Sequence, residues 1–184
     1  MTPNFTKDRK DAILWAKSLF QHPDSYVILD TETTGLENDD VIVQIGVIDL
    51  NGNELVNSLI KPSKKTSISM GATNIHGITM RMLQDAPHFK DLIPQIEKVV
   101  NRKIALIYNS EYDTRIINQT CRQDGCKSLR ITCDCAMKQY SKYVGEWNER
   151  FGNYRFQRLP SGDHSAVGDC QATLKLLKKL ASET

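Results

Sequence analysis

Asp30 and Glu32 stand two residues apart at the end of Tyr26-Val27-Ile28-Leu29, a β-forming run that breaks at Thr33-Thr34-Gly35. Side chains on a strand alternate between faces, so the two carboxylates share one face about 7 Å apart. Acids held side by side on a mostly apolar sheet repel each other and lose hydration. A cation relieves both costs, and oxygen ligands of this kind suit a hard divalent ion such as Mg²⁺ or Mn²⁺. Two solvated acids at an exposed strand end would produce the same local pattern, so this spacing alone leaves both readings open.

Two further acids lie where chemistry would want them. Asp113 follows Tyr108-Asn109-Ser110-Glu111-Tyr112, just past the C-terminal end of an expected strand, where α/β sheets collect ligands. Asp169 falls on the first turns of an expected last helix, five residues after His164. An Asp at a helix start also serves as a cap or dipole partner, so each is ambiguous alone. His164 adds an imidazole at a loop-to-helix junction, a side chain suited to moving protons near neutrality and to serving the same metal.

The elements that must position these groups follow from hydrophobic spacing. Thr6 to Phe20 reads as an amphipathic helix capped by Thr6, with Ala12, Ile13, Ala16, Leu19 and Phe20 inward. The strand from Tyr26 is followed by a second over Val41–Leu50, the hairpin signal Asn51-Gly52, and a third near Glu54–Lys61, which together make an antiparallel meander. Met70 to Pro87 is irregular in pattern. Phe89 to Val100 reads as a helix despite Pro94, Lys103 to Tyr108 as a strand, and Asp113 to Arg122 as a helix. Another strand is expected near Leu129–Cys133, then a helix to about Tyr143, a long irregular connection over Val144–Gly162, and a closing helix over Ser165–Ala181. Strands separated by helices add to a sheet in parallel, so the class is mixed α/β.

The chain has 184 residues, 40% hydrophobic and 25% charged, which fits one soluble globular domain. The reading is a helix within residues 1–24 packed on a domain of residues 25–184. Lys+Arg total 24 against 22 Asp+Glu, so contact with a polyanion must come from a local patch. Met1 to Lys10 lacks the apolar core of a signal peptide, and no run reaches membrane length; a cytoplasmic protein with no membrane partner is expected. Five cysteines crowd the last third without a Cys-x-x-Cys, which favours reduced, buried thiols over a zinc site.

Asp30-Thr31-Glu32-Thr33-Thr34-Gly35, then Asn109 with Asp113, then His164-x-Ala166-x-x-Asp169 resemble the three motifs of the DnaQ-like (DEDDh) 3′-5′ exonucleases, the polymerase III epsilon type. Ile75-His76-Gly77-Ile78-Thr79 is similar to that family's link between the first two motifs. The likeness runs from Tyr26 to the end in the family's order. A sister subgroup places a catalytic Tyr four residues before the last Asp, where this chain has Ser165. It departs from the common pattern at Tyr108, Ser110 and Cys135, where His, Ala and Thr are usual. Those neighbours of the acids leave the reaction type alone and make substrate preference harder to borrow.

The resemblance implies an RNase H-like fold: a five-stranded mixed sheet of a three-strand antiparallel meander plus two parallel strands, with helices on both faces. The acids would meet at the ends of the first and fourth strands and on the last helix. It implies two-metal phosphodiester hydrolysis with Mg²⁺ or Mn²⁺, the ions about 3.5–4 Å apart. Asp30, Glu32 and Asp169 would hold one ion, Asp30 with Asp113 the other, and His164 would be the general base. Thr33, Thr34, Gly35, Ile75, His76 and Asn109 would contact substrate. The expected activity is release of nucleoside 5′-monophosphates from nucleic acid 3′ ends, DNA ahead of RNA and single strands favoured. Proofreading for a DNA polymerase and RNA trimming of the oligoribonuclease or RNase T kind are alternatives. A non-catalytic nucleic-acid-binding module is a third, against which every acid and the histidine is present. A polymerase partner is not expected, because the chain stops at Thr184 directly after the last helix.

Lys138 to Arg158 interleaves aromatics with Lys and Arg. Such a segment reads either as a single-strand groove or as a loop anchored by its rings with its charges in solvent.

Overall fold

A computed structural model describes residues 3–183. Three strands, β1 (Tyr26–Thr33), β2 (Ile42–Ile48) and β3 (Glu54–Leu59), form the antiparallel meander; β4 (Ile104–Ile107) and β5 (Thr132–Cys135) add to it in parallel, in the order β3-β2-β1-β4-β5. The turn between β2 and β3 uses Gly52 at φ +94°, a conformation open to glycine at little cost. The expected mixed sheet is therefore present, with helices on both faces.

Alternation along β1 decides what each face meets. Val27 and Leu29 pack with Phe89 and Ile96 of α3 (Phe89–Val100) and with Ile116 and Ile117 of α4 (Ser110–Asp124). Ile28 points the other way, into a core with Ala16 and Leu19 of α1 (Phe5–Leu19), Met137 of α5 (Ala136–Val144) and Leu174 and Leu177 of α6 (Ala166–Ser182). Asp30 and Glu32 continue the Ile28 face, so they point toward the start of α6.

Several local expectations are corrected. Asn4, not Thr6, caps α1, its Oδ1 accepting from the Lys7 amide at 3.1 Å. The irregular stretch after Ser69 contains a helix, Met70–His76, hereafter α2. α4 begins at Ser110, three residues before the expected start at Asp113, so Asp113 sits inside its first turn. β5 lies over Thr132–Cys135, later than the Leu129–Cys133 expected. The connection after α5 holds a two-stranded ribbon, β6 (Trp147–Asn148) with β7 (Asn153–Tyr154). All five cysteines are unpaired, with Cys121 and Cys170 buried. Among the described residues no helix is long and apolar enough to cross a membrane.

Candidate active site

Register on the sheet assembles the first half of the site. Asp30 lies opposite Gly46 of β2, and Glu32 opposite Gln44; residues paired in this way present their side chains on the same face. Gly46 has no side chain to present there, and α6 uses the space. A Cβ at Gly46 would stand 2.6 Å from the Ala166 carbonyl carbon and 2.7 Å from the Val167 nitrogen. Gln44 completes the docking, its Oε1 accepting from the Ala166 amide at 3.1 Å, one of the donors that a helix start leaves without a partner. Two β2 residues thus seat α6 directly over the β1 acids. A lone glutamine in Val41-Ile42-Val43-Gln44-Ile45-Gly46 is a polar break in an apolar strand, and it is the sequence signal that could have revealed this contact.

Asp169 rides on the first turn of α6. Its Oδ1 accepts from the backbone amides of Asp163 and His164 at 3.0 and 3.1 Å. Ser165 caps the helix by accepting from the Gly168 amide at 3.1 Å, while Asp163 holds the Ser165 amide and hydroxyl at 3.0 and 2.8 Å. A Cβ at Gly162 would lie 2.7 Å from Asp169 Oδ1, so glycine is what lets the loop close on this carboxylate. His164 takes a left-handed backbone, φ +61°, and its side chain is exposed.

Oxygen atoms of Asp30, Glu32 and Asp169 lie within 4.8 Å of one another. Asp113 approaches from the opposite layer, α4, and is 4% exposed. Its Oδ1 accepts from the Thr31 hydroxyl at 2.8 Å, and Thr31 faces α4 because it alternates with Asp30. Two helical layers therefore bring one acid each to the end of β1. Burial pushes the Asp30 carboxyl well above the usual range, and the charges of Asp113, Glu32 and Asp169 push it further. Burial likewise raises Glu32 to about 8, helped by Asp169 and Asp113, and raises Asp113 to about 7 against the Thr31 hydrogen bond. Among the described residues no Lys or Arg forms an ion pair with these four acids. An all-oxygen, negatively charged cluster that protein cations leave unpaired fits a hard divalent ion.

The acids line a cleft of about 600 Å³ shared with Ile75, Asn109, Arg158 and His164. Asn109 precedes α4 with its side chain unused in capping. Beside the cleft lies a second hollow of about 440 Å³, reached by Glu32, Thr33, Gly35, Leu36 and Ile75. Of the residues expected to contact substrate, Thr33, Gly35, Ile75 and Asn109 line one or both spaces. Thr34 does not. It is fully buried, its hydroxyl donating to Asp40 at 2.5 Å and accepting from the Val41 amide at 3.0 Å. His76 borders the second hollow, but both ring nitrogens are engaged. The Ile78 amide donates to Nδ1 at 3.0 Å, so Nε2 carries the hydrogen and donates to the Thr33 carbonyl at 3.0 Å. Thr31, Tyr108, Tyr112, Arg158, Leu159, Ser161 and Gly162 complete the cleft, and none of them was named as a site residue from sequence.

Comparison with known proteins identifies the family and the fold. The sequence model of the exonuclease family (RNase T) matches residues 27–177. An uncharacterized exonuclease, CP81, of Escherichia phage 186 is 38% identical, the match covering 86% of this chain and 89% of the phage protein. DNA polymerase III subunit epsilon of Buchnera aphidicola is 35% identical over 82% of this chain and 70% of its own. Exonuclease X, solved in complex with 5′-overhanging duplex DNA, superposes with a TM-score of 0.57 at 25% identity, over 86% of this chain and 94% of that one. Exonuclease I of E. coli shares the fold, with a TM-score of 0.67 at 15% identity over 85% of this chain and 41% of its own.

Proposed function

This chain belongs to the exonuclease family, and from that premise we propose that it is a divalent-metal-dependent 3′-5′ exonuclease that shortens single-stranded nucleic acid, DNA ahead of RNA. The observation that carries the reading is the cluster of Asp30, Glu32 and Asp169, with oxygens within 4.8 Å of one another and no protein cation paired to it among the described residues. DNA is supported by exonuclease X, solved with a DNA duplex, and by the relation to a DNA polymerase subunit. A single-stranded end is supported by the recessed position of the half-buried acids within a cleft, which one strand enters more readily than a duplex.

Asp30, Glu32 and Asp169 would hold one ion, and Asp30 with Asp113 a second. Ions bound there would lower the pKa of a water and offset the charge that develops on the leaving 3′ oxygen. Thr31 keeps Asp113 aimed at the site. His164 takes a proton from the attacking water as its oxygen bonds to phosphorus and the bond to the 3′ oxygen breaks. Solvent reprotonates that oxygen, giving a nucleoside 5′-monophosphate and a strand one unit shorter. Thr33, Gly35 and Ile75 line the hollow that receives the terminal nucleotide, and Asn109 and Arg158 offer donors to its phosphates. Thr34 and His76 act at one remove, by holding the loop after β1 and the end of α2.

A 5′-labelled single strand incubated with Mg²⁺ or Mn²⁺ is expected to shorten one nucleotide at a time, and excess chelator to stop it. A 3′-phosphate end should resist; cutting it as fast as a free 3′-hydroxyl end would overturn the exonuclease reading. Replacing His164 by Ala should lower the rate by roughly 10²–10⁴-fold with divalent binding retained. The epsilon relative supports a second reading, proofreading, which requires mispaired 3′ ends on a duplex to be removed faster than paired ones.

A further inference from the structure

The four aromatics between Gly145 and Arg158 divide into two sets. Trp147 and Tyr154 pack edge to face with ring centroids 5.2 Å apart, Phe5 closes on Tyr154 at 6.1 Å, and the Tyr154 hydroxyl donates to Asp8 at 2.6 Å. These rings fasten the ribbon to α1. Phe151 and Phe156 take no part in that packing and are 68% and 57% exposed. An exposed Phe gives up the stabilisation of burial, so two on one short segment ask for a ligand.

A groove of about 430 Å³ between α5 and the ribbon is lined by Lys138, Lys142, Tyr154, Phe156 and Glu111. Its lining residues are chain neighbours of those that line the acid cleft. Glu111 lies between Asn109 and Tyr112, which both line the cleft, and Phe156 is two residues from Arg158, which also lines it. The Tyr108 hydroxyl donates to the Gln157 carbonyl at 2.8 Å and pins the chain between Phe156 and Arg158 to the cleft wall. Along the segment 138–158, Lys138, Lys142, Arg150, Arg155 and Arg158 outnumber Glu146 and Glu149, within a chain whose charges nearly cancel. Lys138 pairs with Glu111 at 2.5 Å, an exposed contact that a phosphate replaces at small cost.

Flat exposed rings beside cations suit one polymer above others: bases stack on the rings while Lys and Arg follow the phosphates. We propose that this groove binds the single-stranded stretch immediately upstream of the 3′ end in the acid cleft, with Phe156 as a stacking platform and Lys138 and Lys142 as phosphate contacts. The proposal rests on the exonuclease reading above: the cleft takes the terminal nucleotide and the groove takes those before it.

The test compares kcat/KM on a trinucleotide with kcat/KM on a strand of about 15 nucleotides, long enough to fill cleft and groove together. Phe156→Ala should lower the long-strand value by roughly 5- to 100-fold, the scale of losing one stacked base, and the trinucleotide value far less. Phe156→Trp should restore the ratio. Lys142→Ala should reduce the salt slope of long-strand binding by about 0.7, one phosphate contact on a single strand. A misfolded variant loses the trinucleotide rate too, and Phe156→Trp with Lys142→Ala then decides. If the long-to-short ratio and the salt slope match wild type while wild type trims from the 3′ end, the groove is not the strand path and the exonuclease reading stands. If wild type trims no strand, both fall together.

Discussion

On β1, Asp30 and Glu32 sit in a strand flanked by β2 and β4, whereas Asp169 reaches them from the first turn of α6, behind a loop in which Ser161 and His164 take left-handed backbone. The strand side is held by a ladder, and its charges are costly because they are partly desolvated and crowd one another. The helix side is placed by a few contacts: the bare Gly46, the Gln44 cap and the Asp163 turn. The strand supplies the charge and the docking of α6 decides whether it becomes a site.

Replacing Asp30 by Ala strikes the part the two sides share, and activity should fall by roughly 10⁴-fold or more, the scale for losing one member of a catalytic unit. Calorimetric titration with Mn²⁺ should show weaker binding in the same variant; unchanged affinity would remove Asp30 from the metal site. Gly46→Ala isolates the helix side without touching an acid. The added methyl meets backbone, so α6 must shift, at about 1–3 kcal/mol in stability and about 100-fold in kcat/KM if Asp169 moves by an ångström. Wild-type kinetics in that variant would mean that α6 is not positioned by this contact.

The electrostatic cost on the strand side has its own readout. Burial raises Glu32 from 4.5 to about 8 and Asp113 from 3.8 to about 7. Over that window the folded state holds protons that the unfolded chain has released. Stability of the metal-free protein should therefore fall as pH climbs from about 4.5 to about 8. Saturating Mg²⁺ or Mn²⁺, which takes the place of those protons, should flatten the slope in thermal melts; a slope indifferent to metal would argue that the ions bind elsewhere. Smallest is Gln44→Ala, which strips the acceptor from the Ala166 amide. It should cost about 1 kcal/mol, a Tm drop of roughly 2–4 °C, and less activity than Gly46→Ala.

Elements with an apolar period were legible, and those held by other means were not. α3 shows its stripe, Phe89, Leu92, Ile96 and Val100, and forms where expected in spite of Pro94. α2 buries none of its residues. It is held by the Ser69 cap, a left-handed Gly77 at its C-cap, and the bond from His76 to the Thr33 carbonyl, none of which leaves a hydrophobic repeat. The start of α4 was placed three residues late, at Asp113, because Ser110, Glu111 and Tyr112 come ahead of any apolar spacing. The basic aromatic segment could be read two ways from its composition. Its rings follow both, Trp147 and Tyr154 packing and Phe151 and Phe156 exposed.

The sequence by itself determined which groups are available: an Asp-x-Glu pair on one strand face, two later acids and a histidine, in an order that resembles one family of nucleases. Those facts are local, since strand alternation and helix capping reach only a few residues. The tertiary structure alone decided that Asp113 and Asp169 come from opposite layers, that Thr34 turns inward, and that Gln44 and Gly46 seat α6. It also decided how strongly the acids hold their protons. Burial and charge repulsion are sums over atoms far apart in the chain, and only packing brings those atoms together.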